Sequence, residues 1–161
     1  MCSPKATAPA AAARAAEGDP DLVVRDADFA ADFASIRFVR TTVFIDEQHV
    51  PLKLEFDDRD AVCRHVLALD GGAPIGTARL DLDYGGKVGR LAVLRSARRD
   101  GVGRALMERL HAIAREHGAT TLWCHAQLTA VPFYERLGYR NRGPTFDEAG
   151  IDHVRMELTL A

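Results

Sequence analysis

The chain has the length and composition of a single globular domain: 161 residues, of which 47% are apolar and 27% are charged. Its 21 Lys and Arg against 23 Asp and Glu give a formal net charge of −2, which argues against a dedicated nucleic-acid binder. No apolar run approaches the roughly 18 residues that span a bilayer. We therefore expect neither nucleic acid nor a membrane as a partner.

Cysteine usage limits the metal and redox chemistry that the chain can carry. Cys2, Cys63 and Cys124 lack the spacing of a zinc site and leave one cysteine unpaired. We therefore expect no metal and no disulfide framework, and a reducing cytoplasm fits best. Cys124 is expected to be a small core residue rather than a nucleophile.

The first predicted elements are a strand, a helix and a long acidic segment. Residues 1–21 are rich in Ala and Pro, and we predict a disordered tail there, followed by one folded domain over residues 22–161. A strand is predicted at 22–24. A helix follows it, because apolar residues recur every three to four positions from Phe29 to Val43. The acidic segment, residues 46–60, has no sustained period and is predicted to be a long loop or a broken helix; long ordered loops are often functional.

The remaining elements predict the fold class. Strands at 65–69, 75–83 and 87–94 are separated by Gly-rich turns. After Asp100 the apolar period becomes about 3.6 residues, which predicts the clearest helix of the chain, ending at Gly118. A strand at 121–125, a short helix at 130–137 and strands at 139–142 and 153–160 follow. This order predicts an α/β (α+β) domain built on a single mixed sheet flanked by helices.

The segment before the long helix has the pattern R-x-x-G-x-G. It comprises Arg98, Arg99, Asp100, Gly101, Val102, Gly103 and Arg104. Glycines let backbone N–H groups approach an anion, and the helix N-terminus adds about half a positive charge. The pattern favours a phosphate or pyrophosphate site, although a tight strand-to-helix connection would use the same glycines. A P-loop or a dinucleotide fingerprint is absent from the sequence.

A second motif follows the next predicted strand. It is Ala130-Val131-Pro132-Phe133-Tyr134, continuing to Gly138-Tyr139. Together the two motifs resemble the GNAT superfamily of acyl-CoA-dependent N-acetyltransferases, in which R-x-x-G-x-G binds the coenzyme A pyrophosphate. In that superfamily the A-x-x-F-Y-x-x-x-G-[FY] helix places a Tyr beside the thioester sulfur. Residues 43–51 and 146–153 look like the ElaA-type branch, and the resemblance covers Leu22 to Leu160.

The resemblance implies a mostly antiparallel GNAT-like sheet, acetyl-CoA as co-substrate and direct transfer of the acetyl group to an amine. Such a transfer needs oxyanion donors, a base and an acid. The backbone of Ala92 and Val93 is expected to supply the donor, where the family's strand splays. Tyr134 matches the general acid, although its spacing alone fits a core aromatic.

The base is less well defined by the sequence than the acid. The branch resemblance ranks Glu47 first and His153 second. Other carboxylates and imidazoles remain open as alternatives: Glu55, Asp57, Asp60, His65 and His125. We predict a solvated face for Asp46, Asp58 and Asp60, and surface or boundary positions for His111 and His117.

The acceptor is expected to be a small cationic amine, because of the acidic segment. The segment and the turn at 147–153 are expected to form one acceptor pocket above the split in the sheet, opposite the phosphate-binding loop. A coenzyme A-binding regulatory module without turnover is the alternative function, and a generic phosphate-ester binder is a further one. The sequence leaves the oligomeric state open, a homodimer included.

Overall fold

The structure, a computed structural model, describes residues 21–161. The predicted tail lies outside the described residues except for Asp21, whose carbonyl accepts a hydrogen bond from Gly71 N–H (3.1 Å). Within the described part, no helix is both long and apolar enough to cross a membrane. The same residues contain no cluster of His, Cys, Asp and Glu arranged to hold a metal ion.

One sheet of eight strands organises the described chain. The strands are β1 (Leu22–Ala27), β2 (Arg64–Asp70), β3 (Ala73–Asp81), β4 (Lys87–Val93), β5 (Thr121–Gln127), β6 (Arg140–Asn141), β7 (Phe146–Glu148) and β8 (Ile151–Thr159). Their order is β1-β2-β3-β4-β5-β8-β6, with β7 also paired to β8. Every pair is antiparallel except β4 and β5, which run parallel. The predicted mixed, mostly antiparallel sheet is confirmed.

Helices cover both faces of this sheet. They are α1 (Phe33–Arg40), α2 (Leu52–Glu55), α3 (Val102–Glu116) and α4 (Val131–Arg136). A π-helical segment, Thr41–Glu47, continues α1, and short 3₁₀ turns lie at Arg95–Ala97 and Leu128–Ala130. Of the two alternatives predicted for the acidic segment, the structure matches the broken helix, since the π-helical segment ends at Glu47 and α2 follows at Leu52. The turn expected at residues 147–153 begins within an additional strand, β7, because residues 146–148 pair with β8.

The main core lies between α3 and the sheet. Leu106, Met107 and Leu110 of α3 are fully buried against apolar side chains such as Val66 and Leu80. Each buried side chain of this size contributes about 1.5–3 kcal/mol through the hydrophobic effect. The apolar period after Asp100 therefore predicted both the helix and the face that it buries.

One histidine of α3 departs from the prediction. His111 was expected at the surface or a boundary, but it is only 6% exposed, and its Nε2 lies 2.9 Å from Tyr139 Oη. Burial lowers the pKa of His111 to about 4, so the imidazole is neutral at pH 7. The expectation was wrong for His111 because its partner, Tyr139, comes from a distant segment, whereas His117 is exposed as expected.

Charged side chains of both signs meet beneath the acidic segment. We call them the buried charge network: Arg40, Glu55, Asp57, Asp60, Arg79 and Arg90. Asp60 Oδ1 accepts hydrogen bonds from Arg40 (2.8 Å) and Arg79 (2.7 Å). Although burial favours the neutral acid, these guanidinium groups hold the pKa of Asp60 below its usual value.

The network corrects the predicted solvated face. Asp60 is 1% exposed, so a solvated position is wrong for this residue, whereas Asp46 and Asp58 are exposed as predicted. Arginines form ion pairs with Glu55, Asp57 and Asp60. These carboxylates are therefore poorly placed to accept a substrate proton. His65, another alternative base, is buried, and its Nε2–H donates to the Asp60 carbonyl (2.8 Å).

Candidate active site

A split in the sheet creates the candidate site. In the described residues, parallel pairing of β4 and β5 is limited to Lys87 with Trp123, at the start of both strands. Farther along β4, Arg79 pairs with Gly89 and Thr77 with Ala92, so Arg90 and Leu91 together face one residue of β3. This bulge, with Arg90 at φ +52°, re-aims the strand. A cleft of 560 Å³ lies between the two strands.

The cleft brings together segments that are far apart in sequence. The acidic segment lines one wall with Gln48 and Leu54, and the turn after β7 lines another with Ala149 and Ile151. β4, β5 and α4 supply the remaining walls. Gln48 Oε1 also accepts a hydrogen bond from the side-chain amide of Gln127 on β5 (2.8 Å). The two segments expected to form the acceptor pocket therefore lie on one cleft.

The end of β4 directs one backbone N–H into the split. Leu94 N–H donates to the Ile75 carbonyl on β3 (2.8 Å). Because successive N–H groups of a strand point to opposite sides, the N–H of Val93 points away from β3 and that of Ala92 toward it. Arg98 Nε–H donates to the Val93 carbonyl (2.9 Å). Of the two predicted oxyanion donors, the geometry therefore favours Val93.

The phosphate loop, residues 98–104, ends in the N-terminus of α3. The helix makes its first hydrogen bond from Ala105 N–H to Gly101 O (3.0 Å), and no described side chain caps it. The N–H groups of residues 102–104 therefore lack helical partners and can bind an anion. Gly101 has φ +80°, and a Cβ there would meet no atom within 4 Å. The loop thus offers open space to a phosphate.

The side chains of the phosphate loop differ in what they can contribute. Arg104 is paired with Glu108 (2.8 Å), whereas Arg99 is exposed and pairs with no carboxylate of residues 21–161. Asp100 is 5% exposed, and neither of its carboxylate oxygens has a hydrogen-bond partner among those residues. The positive end of α3 stabilises this buried carboxylate. Arg99 and the backbone, rather than the Asp100 side chain, are therefore suited to a phosphate.

Two aromatic residues of α4 contact the site: Phe133 packs against the phosphate loop, and Tyr134 lines the cleft. A Cβ on Gly103 would lie 3.4 Å from the Phe133 ring, so α3 and α4 meet closely at this glycine. Tyr134 is 6% exposed, lines the cleft and packs edge-on against Tyr139, with ring centroids 5.4 Å apart. Burial raises the pKa of Tyr134. Its phenol is therefore protonated at neutral pH and can act as a donor.

An imidazole and a carboxylate meet on the wall formed by β7 and β8. His153 Nδ1–H donates to the Ile151 carbonyl (2.7 Å), so in the neutral ring Nε2 is the acceptor. That nitrogen lies 3.7 Å from Glu148 Oε2. The other oxygen of Glu148 accepts from His125 Nδ1 (3.2 Å). Glu148 thus lies between two imidazoles on the cleft.

The arrangement matches a known family. A family model for the acetyltransferase (GNAT) domain matches residues 29–160. This chain belongs to the GNAT acetyltransferase family. YjcF of Bacillus subtilis (strain 168), described as an uncharacterized N-acetyltransferase, is 40% identical over 121 residues, covering 74% of this chain and 86% of that protein.

Solved structures share this GNAT fold. An acyl-CoA N-acyltransferase from Pseudomonas aeruginosa has a TM-score of 0.74 at 29% identity, covering 84% of this chain and 98% of that one. ElaA of Escherichia coli has a TM-score of 0.75 at 23% identity, again covering 84% of this chain and 98% of that chain. The resemblance to the GNAT superfamily predicted from the motifs is confirmed, and ElaA is among its neighbours in fold.

The first-ranked base of this GNAT chain, Glu47, is paired with arginines. Both oxygens of Glu47 accept from Arg98 Nη2, at 3.0 and 2.8 Å, and Arg95 lies 3.7 Å away. A carboxylate that already accepts charge-assisted hydrogen bonds is a weak acceptor for a substrate proton. Glu47 is not among the residues that line the cleft, whereas His153 is. The structure places Glu47 beside the phosphate loop instead.

Sequence reasoning missed Glu148 as a functional candidate in the GNAT site. The residue lies in the branch-like stretch 146–153, five positions before His153. The signal available was the acidic residue at a turn expected to face the cleft. Glu148 could be recognised as a site residue only from the pairing of β7 with β8, which places Phe146 opposite His153. The expected core position of Cys124 is confirmed, since it is 1% exposed and burial raises its pKa to about 12.

Proposed function

We propose that the chain is an acetyl-CoA-dependent N-acetyltransferase that acts on a small amine by direct transfer. The observation that carries the proposal is that Val93, Tyr134 and His153 line one cleft, which Arg98 links to the phosphate loop. A backbone donor, a buried phenol and an imidazole acceptor are the groups that this chemistry needs.

The described residues fit the co-substrate. The unpaired N–H groups at the start of α3, the open space at Gly101 and the free Arg99 would hold the pyrophosphate. When bound, acetyl-CoA supplies a thioester whose carbonyl carbon an amine can attack. Glu47 acts on this side of the site by holding Arg98 against the end of β4.

Each step of the transfer has a candidate residue. His153 Nε2 accepts a proton from the ammonium group of the acceptor, and Glu148 stabilises the imidazolium that results. Val93 N–H donates to the carbonyl oxygen as the carbon–nitrogen bond forms. Tyr134 donates its proton to the sulfur as the carbon–sulfur bond breaks. The nitrogen then releases its second proton and His153 the first, both to solvent, and Tyr134 regains one proton from solvent. The products are an N-acetyl amine and a free thiol.

Binding is tested by the melting temperature. We expect acetyl-CoA to raise it, because a ligand at a hundredfold excess over its Kd adds about 2.7 kcal/mol to the folded state. Gly101→Val places a β-branched side chain in the open space of the loop and should abolish this shift. Its positive φ adds a strain cost of about 1–2 kcal/mol, so the melting temperature without ligand also falls.

Gly118→Val is the matched control for this prediction. Gly118 also has a positive φ (+76°) and no atom within 4 Å of a Cβ, but it follows the other end of α3. This variant should lose similar stability and keep the full acetyl-CoA shift. An undiminished shift in Gly101→Val would contradict the assignment of the pyrophosphate site.

A further inference from the structure

The acidic segment leaves little free negative charge for an acceptor. Glu55, Asp57 and Asp60 belong to the buried charge network, and Glu47 is held by Arg98. The acidic residues that remain exposed in the segment do not line the cleft. The sequence of the acidic segment favoured a cationic acceptor. In the structure, however, this wall of the cleft offers no free carboxylate to bind one.

A lysine supplies free positive charge in the same cleft. Lys87, the first residue of β4, lines the cleft, and its Nζ lies 5.0 Å from the centre of the Trp123 ring. No carboxylate of residues 21–161 forms an ion pair with this nitrogen within 4 Å, although Glu148 acts on its charge from a longer distance. The other cations lining the cleft are Arg90 and Arg98, and both have carboxylate partners. Lys87 is thus the unpaired cation among the described lining residues.

The free cation lies far from the reacting end of the cleft. Lys87 and Val93 stand at opposite ends of β4, and a strand rises by about 3.3 Å per residue. Allowing for the bulge and the length of the lysine side chain, the amine and an anionic group on Lys87 would be separated by on the order of 10 Å. An α-amino acid, whose carboxylate lies on the carbon next to the amine, cannot span this distance.

We propose that the acceptor is an extended ω-amino acid, with its amine at His153 and Glu148 and its carboxylate on Lys87. This proposal rests on the proposed acetyl transfer and names the substrate class of the same site. The reaction is unchanged: the amine nitrogen gains the acetyl group, the ammonium proton goes to His153, and the thiol leaves. The acceptor is zwitterionic, so one carboxylate, Glu148, and one cation, Lys87, suffice to bind both ends.

The test compares acceptors of matched length. Free-thiol release is measured with ω-aminooctanoate, octylamine, α,ω-diaminooctane and 2-aminooctanoate, which is the α-amino acid of the same chain length. We expect kcat/KM for ω-aminooctanoate to exceed that for the diamine by about tenfold or more, the scale of one charged hydrogen bond. In Lys87→Met, the ratio of kcat/KM for ω-aminooctanoate to octylamine should fall about tenfold, mainly through KM. Lys53→Met, which removes an exposed lysine of α2, should leave the ratio unchanged.

Each of the other outcomes contradicts either the proposed acceptor class or the proposed acetyl transfer. If the diamine or 2-aminooctanoate is acetylated as well as ω-aminooctanoate, or if Lys87→Met loses activity equally with all amines, the acceptor class is overturned and acetyl transfer still stands. If none of the amines is acetylated, the proposed function is contradicted. Calorimetric titration of ω-aminooctanoate into the coenzyme A complex then decides the acceptor class, since binding that Lys87→Met abolishes supports it and no binding overturns it.

Discussion

Asp60→Asn is expected to lower the free energy of unfolding by about 3–5 kcal/mol, the scale for removing one partner of a buried ion pair. The side chain keeps its shape, but Arg40 and Arg79 lose the carboxylate that they share, at 2.8 and 2.7 Å. Only Glu55 and Asp57 then remain to neutralise the three arginines of the network. Arg40 is 1% exposed, so water cannot replace the lost charge. Urea unfolding followed by circular dichroism measures the change.

Asp58→Asn is the matched control for this substitution. Asp58 lies two positions away in the same acidic segment but is exposed, so its loss should change the unfolding free energy by less than about 0.5 kcal/mol. Equal effects of the two substitutions would show that the network does not stabilise the fold.

Acid should remove the stability that Asp57 and Asp60 contribute to the same network. Arg79 and Arg90 hold the pKa of Asp57 at about 2 despite partial burial, and Asp60 also has a lowered pKa. Both values lie below the unfolded pKa of about 3.9. The stability that these carboxylates contribute is therefore fully present above about pH 4 and is lost as the pH falls toward 2. In Asp60→Asn this decline should be smaller than in the unaltered protein.

Tyr134→Phe is expected to lower kcat by about 100-fold, the scale of lost general-acid catalysis. The phenol donates its proton only as the carbon–sulfur bond breaks, so the affinity for acetyl-CoA should change little. Burial keeps the phenol protonated, and removing the oxygen leaves the ring packing against Phe133 and Tyr139 intact. Steady-state kinetics and the acetyl-CoA melting shift measure the two quantities.

Tyr139→Phe separates catalysis from aromatic packing. Its hydroxyl contacts His111 in the core, 2.9 Å away, and it does not line the cleft. This variant should lose about 1–3 kcal/mol of stability, the cost of a buried group left without its partner, and should keep kcat within a few-fold. A full rate in Tyr134→Phe, with chemistry shown to limit turnover, would mean that water protonates the thiolate.

The sheet and the long helix were predictable because their signals are local. Alternation of apolar residues predicts strands, and the period of about 3.6 residues from Val102 to Ala114 predicts α3 and its buried face. The two motifs predicted the family because each lies on a predicted strand-to-helix connection. The bulge at Arg90 was not predictable, since a single residue with positive φ leaves no periodic trace in the sequence.

The site residues that were misplaced are charged groups with distant partners. Glu47 and Arg98 are 51 positions apart, and Asp60 joins guanidinium groups from α1 and β3. Whether a carboxylate is solvated, paired or free depends on such partners, which composition and spacing do not reveal. Glu148 could not be predicted for the same reason, since its position on the cleft depends on the pairing of β7 with β8.

Acetyl transfer is measured most directly by following an isotopically labelled acetyl group from acetyl-CoA to an amine. The protein is incubated with labelled acetyl-CoA and an amine panel, and the thiol and the labelled N-acetyl product are quantified together by mass spectrometry. We expect the two products in equal amounts, only when enzyme and amine are both present. Binding of acetyl-CoA with no thiol released across the panel would contradict acetyl transfer and would instead indicate a coenzyme A-binding regulatory module.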